Sequence, residues 1–231
     1  LTSVPGHSLV TTLHVDHLAR LRKEGEFRSA YEFASLRTID GAPVALLASL
    51  VAGRRVARVS GSDLVLPIAG RCAQMDVPLV LLGGTPEVNQ AARLLLARAF
   101  PRLQVPLCIS PKLGFEDDPH CIESIRHQLA NLPKAPVVLA NLGAPKQENF
   151  ALRHLREINC VTVGVGGSLD MLTGTKTRAH PILRKLGLEW VWRLLLEPRR
   201  LAKRYLWESW GALPLILAQL WKTRLRKRKV G

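Results

Sequence analysis

The stretch VVLANLGAPKQENF (137–150), followed by CVTVGVGGSLDMLTG (160–174), decides how this chain folds. Two apolar runs rich in β-branched residues, 137–142 and 160–165, each break into a glycine-bearing loop. An apolar run that ends in glycine and gives way to a helical pattern is the layout of a βα unit in a parallel sheet. The loops carry polar groups that a buried strand would not hold: Lys146, Gln147 and Glu148 in the first, Asp170 in the second. Parallel sheets bind ligands beyond the carboxyl ends of their strands, so the two loops are expected to face one pocket. A third region, around Asp40 and Gly41, is expected to complete it.

The same alternation extends outward. Residues 7–15 alternate as a first strand and lead into a helix over 16–23, with Asp16 as its N-cap. A second helix is predicted over 27–36 and a short strand over 37–39, ending at Asp40. Residues 56–60 make another short strand, after which Gly61, Ser62 and Asp63 turn the chain and cap a helix to Met75. Residues 78–82 form a buried strand that ends in Gly83 and Gly84. Thr85 and Pro86 then supply the N-cap and first residue of a helix whose buried face is Val88, Ala91, Ala92, Leu95 and Leu96. A strand over 104–109 and a helix over 122–132 follow. Strand and helix alternate to about Leu172, which predicts an α/β, Rossmann-like fold with a mostly parallel sheet flanked by helices.

The end of the chain departs from this pattern. Beyond Trp192 stand eleven Lys or Arg against two Glu, so nine of the fifteen excess positive charges lie there. The expected organisation is an α/β domain over 1–186 and a basic, Trp-rich helical appendage over 187–231. Its longest uncharged stretch, residues 209–221, has thirteen residues; crossing a bilayer takes roughly twenty. A short apolar, tryptophan-bearing segment beside Lys and Arg instead suits an anionic membrane surface. No charged segment leading into an apolar run marks the first residues, so no secretory signal is expected. Cys72, Cys108, Cys121 and Cys160 are scattered without C-x-x-C spacing and are expected to be buried, reduced thiols.

Few side chains announce chemistry unaided. There is no Asp-x-Asp, His-x-x-x-His or His-Glu-x-x-His, so no metal site is expected, and Glu116, Asp117 and Asp118 suit a solvated loop. Without G-x-G-x-x-G or a P-loop, dinucleotide and ATP chemistry are disfavoured. Gly83 and Gly84 open a helix, and Gly164, Gly166 and Gly167 follow a strand. Either loop suits close backbone approach to an anion, and either equally suits a tight βα turn. Asp40, at a strand end before glycine, fits a general base or an Asp-Gly turn equally well. Gln147 on its own suggests an exposed loop residue, and His14 a core or edge residue of the first strand.

Seven ordered motifs change that balance: IDG (39–41), RVSGSDL (58–64), LLGGTPEV (81–88), GAPKQE (143–148), GVGGSLDMLTG (164–174), RAHP (178–181) and GLEWVWRLLLEPRRLAKRY (187–205). Together they resemble the signature of the WecG/TagA/CpsF family of bacterial glycosyltransferases, from about residue 9 to 205. The resemblance implies transfer of N-acetylmannosamine or a hexose from a UDP-sugar to a polyprenyl-diphosphate-linked saccharide. It also implies inversion at the anomeric carbon with no metal or cofactor, and a place on the inner face of the cytoplasmic membrane. Asp40 falls on the family's catalytic aspartate, with Thr12 and Gln147 beside it in the expected catalytic set. Donor binding is expected at His14, Arg58, Gly83, Gly84, Gly143, Gly166, Gly167 and Asp170. Arg193, Arg200 and Lys203 belong to the appendage expected to fold over the diphosphate. This chain departs twice, with His14 where the family has Asn and RAHP where it has R-A-P. Two other classes remain in view: a non-catalytic, membrane-associated relative acting in assembly, and a basic nucleic-acid-binding protein. The latter lacks a recognition helix or stacking motif, so no nucleic-acid partner is expected. Self-association into a homo-oligomer is left open.

Overall fold

The computed structural model describes residues 6–22 and 25–176. In chain order they form β1 (Ser8–Leu13), α1 (Val15–Leu21), α2 (Glu26–Phe33), β2 (Leu36–Ile39) and α3 (Ala42–Ala52). Then come α4 (Gly61–Met75), β3 (Leu79–Gly83), α5 (Pro86–Ala99), β4 (Leu107–Ile109) and a 3-10 turn at Phe115–Asp117. The rest are α6 (Pro119–Ala130), β5 (Val137–Asn141), α7 (Lys146–His154), β6 (Val161–Gly164) and α8 (Ser168–Leu172). The strands make a six-stranded sheet in the order β2-β1-β6-β5-β3-β4. The pairs β1–β6, β6–β5, β5–β3 and β3–β4 are all parallel. The α/β, Rossmann-like architecture expected from the alternation is therefore present; the appendage at 187–231 lies outside the described residues.

Two compact units divide the described chain. The first comprises residues 6–12, 25–37 and 60–176 and holds most of the sheet. Its central strands are apolar on both faces because both are covered. Leu79 and Leu81 of β3, with Val137 and Leu139 of β5, pack with Val65, Ala69, Val88, Ala92, Leu96 and Leu169. Val80, Leu82 and Val138 point the other way, onto Ile125, Leu129, Phe150 and Leu155. Alternate residues thus serve separate cores, as the period-2 geometry of a strand requires. The second unit comprises residues 13–22 and 38–59 and contains α1 and α3.

Local chemistry explains where the helices start. Ser60 and Asp63 form a reciprocal capping box at α4. Thr85 Oγ1 accepts from Val88 N at 3.3 Å, with Pro86 in the first turn of α5. Asp118 Oδ1 accepts from His120 N and Cys121 N at α6. Each cap satisfies amides that a helix start leaves unpaired, typically worth about 1 kcal/mol.

Several boundaries differ from the sequence expectation, each for a physical reason. His14, not Asp16, is the N-cap of α1; Asp16 sits in the first turn, and His14 is consequently off the strand. The second helix ends at Phe33 because Leu36 already belongs to β2. Residues 56–60 make no strand: Val59 N donates to Ile39 O at 2.8 Å, while Ser60 is committed to capping α4. Pro106, which has no N–H, precedes the shortened β4. Leu95 is exposed, and Asn89 joins Val88, Ala92 and Leu96 on the buried face of α5. Glu116 is not a bare loop carboxylate: it pairs with Lys146, whose hydrogen bond holds its pKa below the usual carboxylate value. All four cysteines are free thiols, but only Cys72 and Cys160 are buried, and burial pushes each up to about 11. α3 has apolar residues all round, so no helical stripe announced it.

A pH-dependent stability follows from His7. Its Nε2 is hydrogen-bonded to Thr162 Oγ1 at 3.0 Å, and its ring stacks on Phe33 at 5.7 Å. Burial pushes its pKa down to about 4. In the unfolded chain the ring titrates near 6.5, so between these values unfolding takes up a proton. Stability from this residue is complete above about pH 6.5 and is lost as pH falls toward about 4, by up to about 3 kcal/mol. Urea midpoints compared at about pH 7 and about pH 4.5 should fall further for the natural chain than for His7→Gln. Equal falls would remove His7 as the cause.

Candidate functional site

In the first unit, polar side chains gather where β1, β3, β5 and β6 end. β3 runs on to β4 at one side of the sheet, whereas β5 runs on to β6 at the other. Strand order therefore reverses between β3 and β5, the place where open α/β sheets leave a crevice beyond their carboxyl ends. Gly83 and Gly84 follow one strand there, and Asn141 and Gly143 the other.

Close backbone approach explains these glycines. Gly83 has φ +96°, and a Cβ on it would lie 2.7 Å from the Asn141 carbonyl oxygen. A Cβ at Gly84 would lie 2.8 Å from Asn141 Nδ2. Asn141 is 7 % exposed and holds α8 through both ends of its amide: Nδ2 donates to Asp170 Oδ2 at 3.0 Å, and Oδ1 accepts from Leu169 N at 3.4 Å. Asp170 also faces Lys176 at 3.5 Å, and the Gly167 backbone lies beside both side chains.

Gln147 is not the exposed loop residue its neighbours suggested. It sits in the first turn of α7, 3 % exposed, beside Glu148 at 0 %. Its Nε2 donates to Glu148 Oε1 at 2.8 Å and its Oε1 accepts from Gly166 N at 3.1 Å. Gly164 leaves the necessary room, since a Cβ there would lie 2.7 Å from Gln147 Nε2. Ahead of the helix, the Gly143 carbonyl accepts from Gln147 N at 3.1 Å. Thr12, buried at the end of β1, donates its hydroxyl to Gly164 O at 3.1 Å. Thr12, Gly83, Gly84, Gly143, Gln147, Gly166, Gly167 and Asp170 thus belong to one set of loops in one unit.

His14, Asp40 and Arg58 lie in the second unit. Asp40 follows β2, and its N–H donates to Leu13 O at 2.8 Å. Gly41, with φ +93°, is the N-cap of α3, so Asp40 stands at the positive end of that helix dipole, where negative charge is favoured. His14 Cδ2 is 3.8 Å from where a Gly41 Cβ would be. Its Nδ1 meets Asp16 Oδ1 at 2.6 Å, and Asp16 Oδ2 lies 3.8 Å from Arg20 Nε. Arg58 is half-buried one residue before Val59, the residue bonded to Ile39. Arg193, Arg200 and Lys203 lie outside the described residues.

Sequence reasoning missed the place of Asn141 among the site loops and the burial of Asp16 and His17. Asn141 carried a legible signal, a polar residue closing the apolar run VVLAN. Asp16 and His17 are 2 % and 6 % exposed, a burial that a charged first helical turn does not advertise. Among the described residues, no group of three or more His, Cys, Asp or Glu is placed to hold a metal ion. In the first unit the geometry offers backbone amides, an amide side chain and a carboxylate around glycine loops; the second unit, taken by itself, has a carboxylate at a helix start. A family comparison matches residues 2–227 to the Glycosyl transferase WecG/TagA/CpsF family.

Proposed function

Because the chain belongs to the WecG/TagA/CpsF family of glycosyltransferases, we propose that it moves N-acetylmannosamine or a hexose from a UDP-sugar onto a polyprenyl-diphosphate-linked saccharide, inverting the anomeric carbon. The product is a lipid-linked intermediate of a bacterial surface polysaccharide. The observation that carries this reading is the family match over nearly the whole chain, joined to Asp40 at the end of β2.

The acceptor hydroxyl oxygen attacks the anomeric carbon from the face opposite the nucleotide. Its proton passes to the Asp40 carboxylate, and the bond to the nucleotide diphosphate breaks with its electron pair leaving on the diphosphate. General-base catalysis of this kind contributes on the order of a hundred- to ten-thousand-fold. Thr12 and Gln147 position the loop carrying Gly166 and Gly167, and Asp170 offers acceptor oxygens to the nucleotide. His14 and Arg58 complete donor binding. Charge growing on the diphosphate is offset by loop amides and by Arg193, Arg200 and Lys203, without a metal. Arg200→Ala is expected to lower turnover about a hundred-fold; near-natural turnover by this variant would remove the appendage from the chemistry.

Among the described residues, no helix is long and apolar enough to cross a membrane. The lipid-linked acceptor, with the basic, Trp-bearing sequence at the end of the chain, supports peripheral binding to the inner face of the cytoplasmic membrane, that end lying on anionic lipid. The test is turnover of a panel of UDP-sugars with a lipid-diphosphate acceptor in the presence of chelator. Product from one donor supports the reaction. Failure of every donor to bind would favour the non-catalytic, assembly role, which the exchange of Asn for His14 motivates.

A further inference from the structure

α3, the helix that follows Asp40, carries a surface for which the proposed chemistry has no use. Leu46 and Leu50 are 62 % and 56 % exposed, and at four residues apart they share one helix face. The sole polar side chain of α3 does not relieve this surface. Ser49 Oγ turns back to donate to Ala45 O at 2.7 Å and to accept from Val56 N at 2.9 Å. Gly53, left-handed, ends the helix, and Arg54 and Arg55 follow, both exposed. Between Gly41 and Ser62 there is no acidic residue, so the stretch holds three arginines and no carboxylate.

Single exposed leucines are ordinary. An uncharged helix with leucines on one exposed face and a pair of arginines at its end is a different object. Apolar side chains enter the boundary between headgroups and acyl chains, while guanidinium groups meet lipid phosphates. At eleven residues, roughly 16 Å, α3 is far short of a bilayer span. We propose that α3 seats the protein on an anionic bilayer, with Leu46 and Leu50 entering the interface and Arg54 and Arg55 on its phosphates. A second copy of the chain is the poorer occupant, since this stretch offers its arginines no carboxylate. Asp40 immediately precedes the N-cap of α3, so seating the helix ties the base to the bilayer that holds a lipid-linked acceptor. That consequence rests on the proposed reaction; the seating itself does not.

The test uses the full chain. An environment-sensitive fluorophore is placed at Leu50→Cys in a Cys108→Ser, Cys121→Ser background, with Leu94→Cys on α5 as a control. Vesicles of phosphatidylcholine mixed with phosphatidylglycerol should shift the residue 50 emission to the blue and leave residue 94 unchanged. Leu46→Asp with Leu50→Asp should lower vesicle partitioning about tenfold or more, with turnover of a detergent-soluble acceptor unchanged. Arg54→Gln with Arg55→Gln, which leaves the apolar face intact, should lower it by a similar factor and weaken its salt dependence. Three results overturn the proposal: no partitioning of the natural chain, partitioning with residue 50 unshifted, or a dimer in sedimentation that the aspartate variant splits. Loss of turnover by the unsubstituted chain with a soluble acceptor would instead count against the reaction and leave the seating to these readouts.

Discussion

Replacing Asp40 by Asn is expected to cut turnover by about a hundred- to ten-thousand-fold while leaving UDP-sugar affinity within about threefold. The amide matches the carboxylate in size but has no basic oxygen to take the acceptor proton. The attacking hydroxyl would have to lose that proton to water, which is neither held in place nor matched in basicity. The substitution leaves the backbone link at this corner, Asp40 N–H to Leu13 O at 2.8 Å, in place. Single-turnover kinetics, donor titration calorimetry and a thermal melt separate the possibilities. A slow enzyme with normal affinity and a normal melt is the signature of a lost base. Retention of more than about a tenth of the natural rate would put the base elsewhere.

Gln147→Glu is expected to cause a large loss of stability although it is nearly isosteric. Glu148 is fully buried, and its Oε1 accepts from Gln147 Nε2 at 2.8 Å. The substitution turns that donor into a second carboxylate oxygen facing the first. A buried donor is lost and two negative charges share a dry site, a combination that typically costs about 3 to 5 kcal/mol. Gly166 N–H still finds an acceptor at position 147, so the deficit reports the carboxylate pair rather than a broken loop. The sign of the pH response is the check. Protonating either carboxyl restores a donor, so the folded state holds a proton more tightly than the unfolded one, and the deficit should shrink as pH falls. Denaturant midpoints of the two proteins at neutral and mildly acid pH measure it directly. A deficit that is constant with pH would mean that the cost is steric.

The two predictions differ in how far the sequence anticipated them. Asp40 stood out as a carboxylate closing a short strand before glycine, and the motif IDG gave it a role. Gln147 did not stand out unaided: Pro145 before it and charged residues beside it look like a surface loop. Its burial comes from Gly164, whose missing Cβ admits the side chain, and that relation spans seventeen positions of sequence.

What the sequence by itself determined is the βα alternation and the central strands, because those signals are local. A buried parallel strand must be apolar on both faces, and Leu79–Gly83 and Val137–Asn141 are legible as such without any partner in view. Thr85 with Pro86 is equally local, since a helix start needs its acceptor within three residues. Only the tertiary structure decided the strand order β2-β1-β6-β5-β3-β4, and hence that Gly83 meets Asn141 across a reversal of the sheet. It also decided that α3 is a helix at all, since a run apolar but for Ser49 has no polar stripe to betray its period. Strand order and burial depend on which surfaces far apart in the chain exclude water together, and a run of residues fixes its own alternation but not its neighbours.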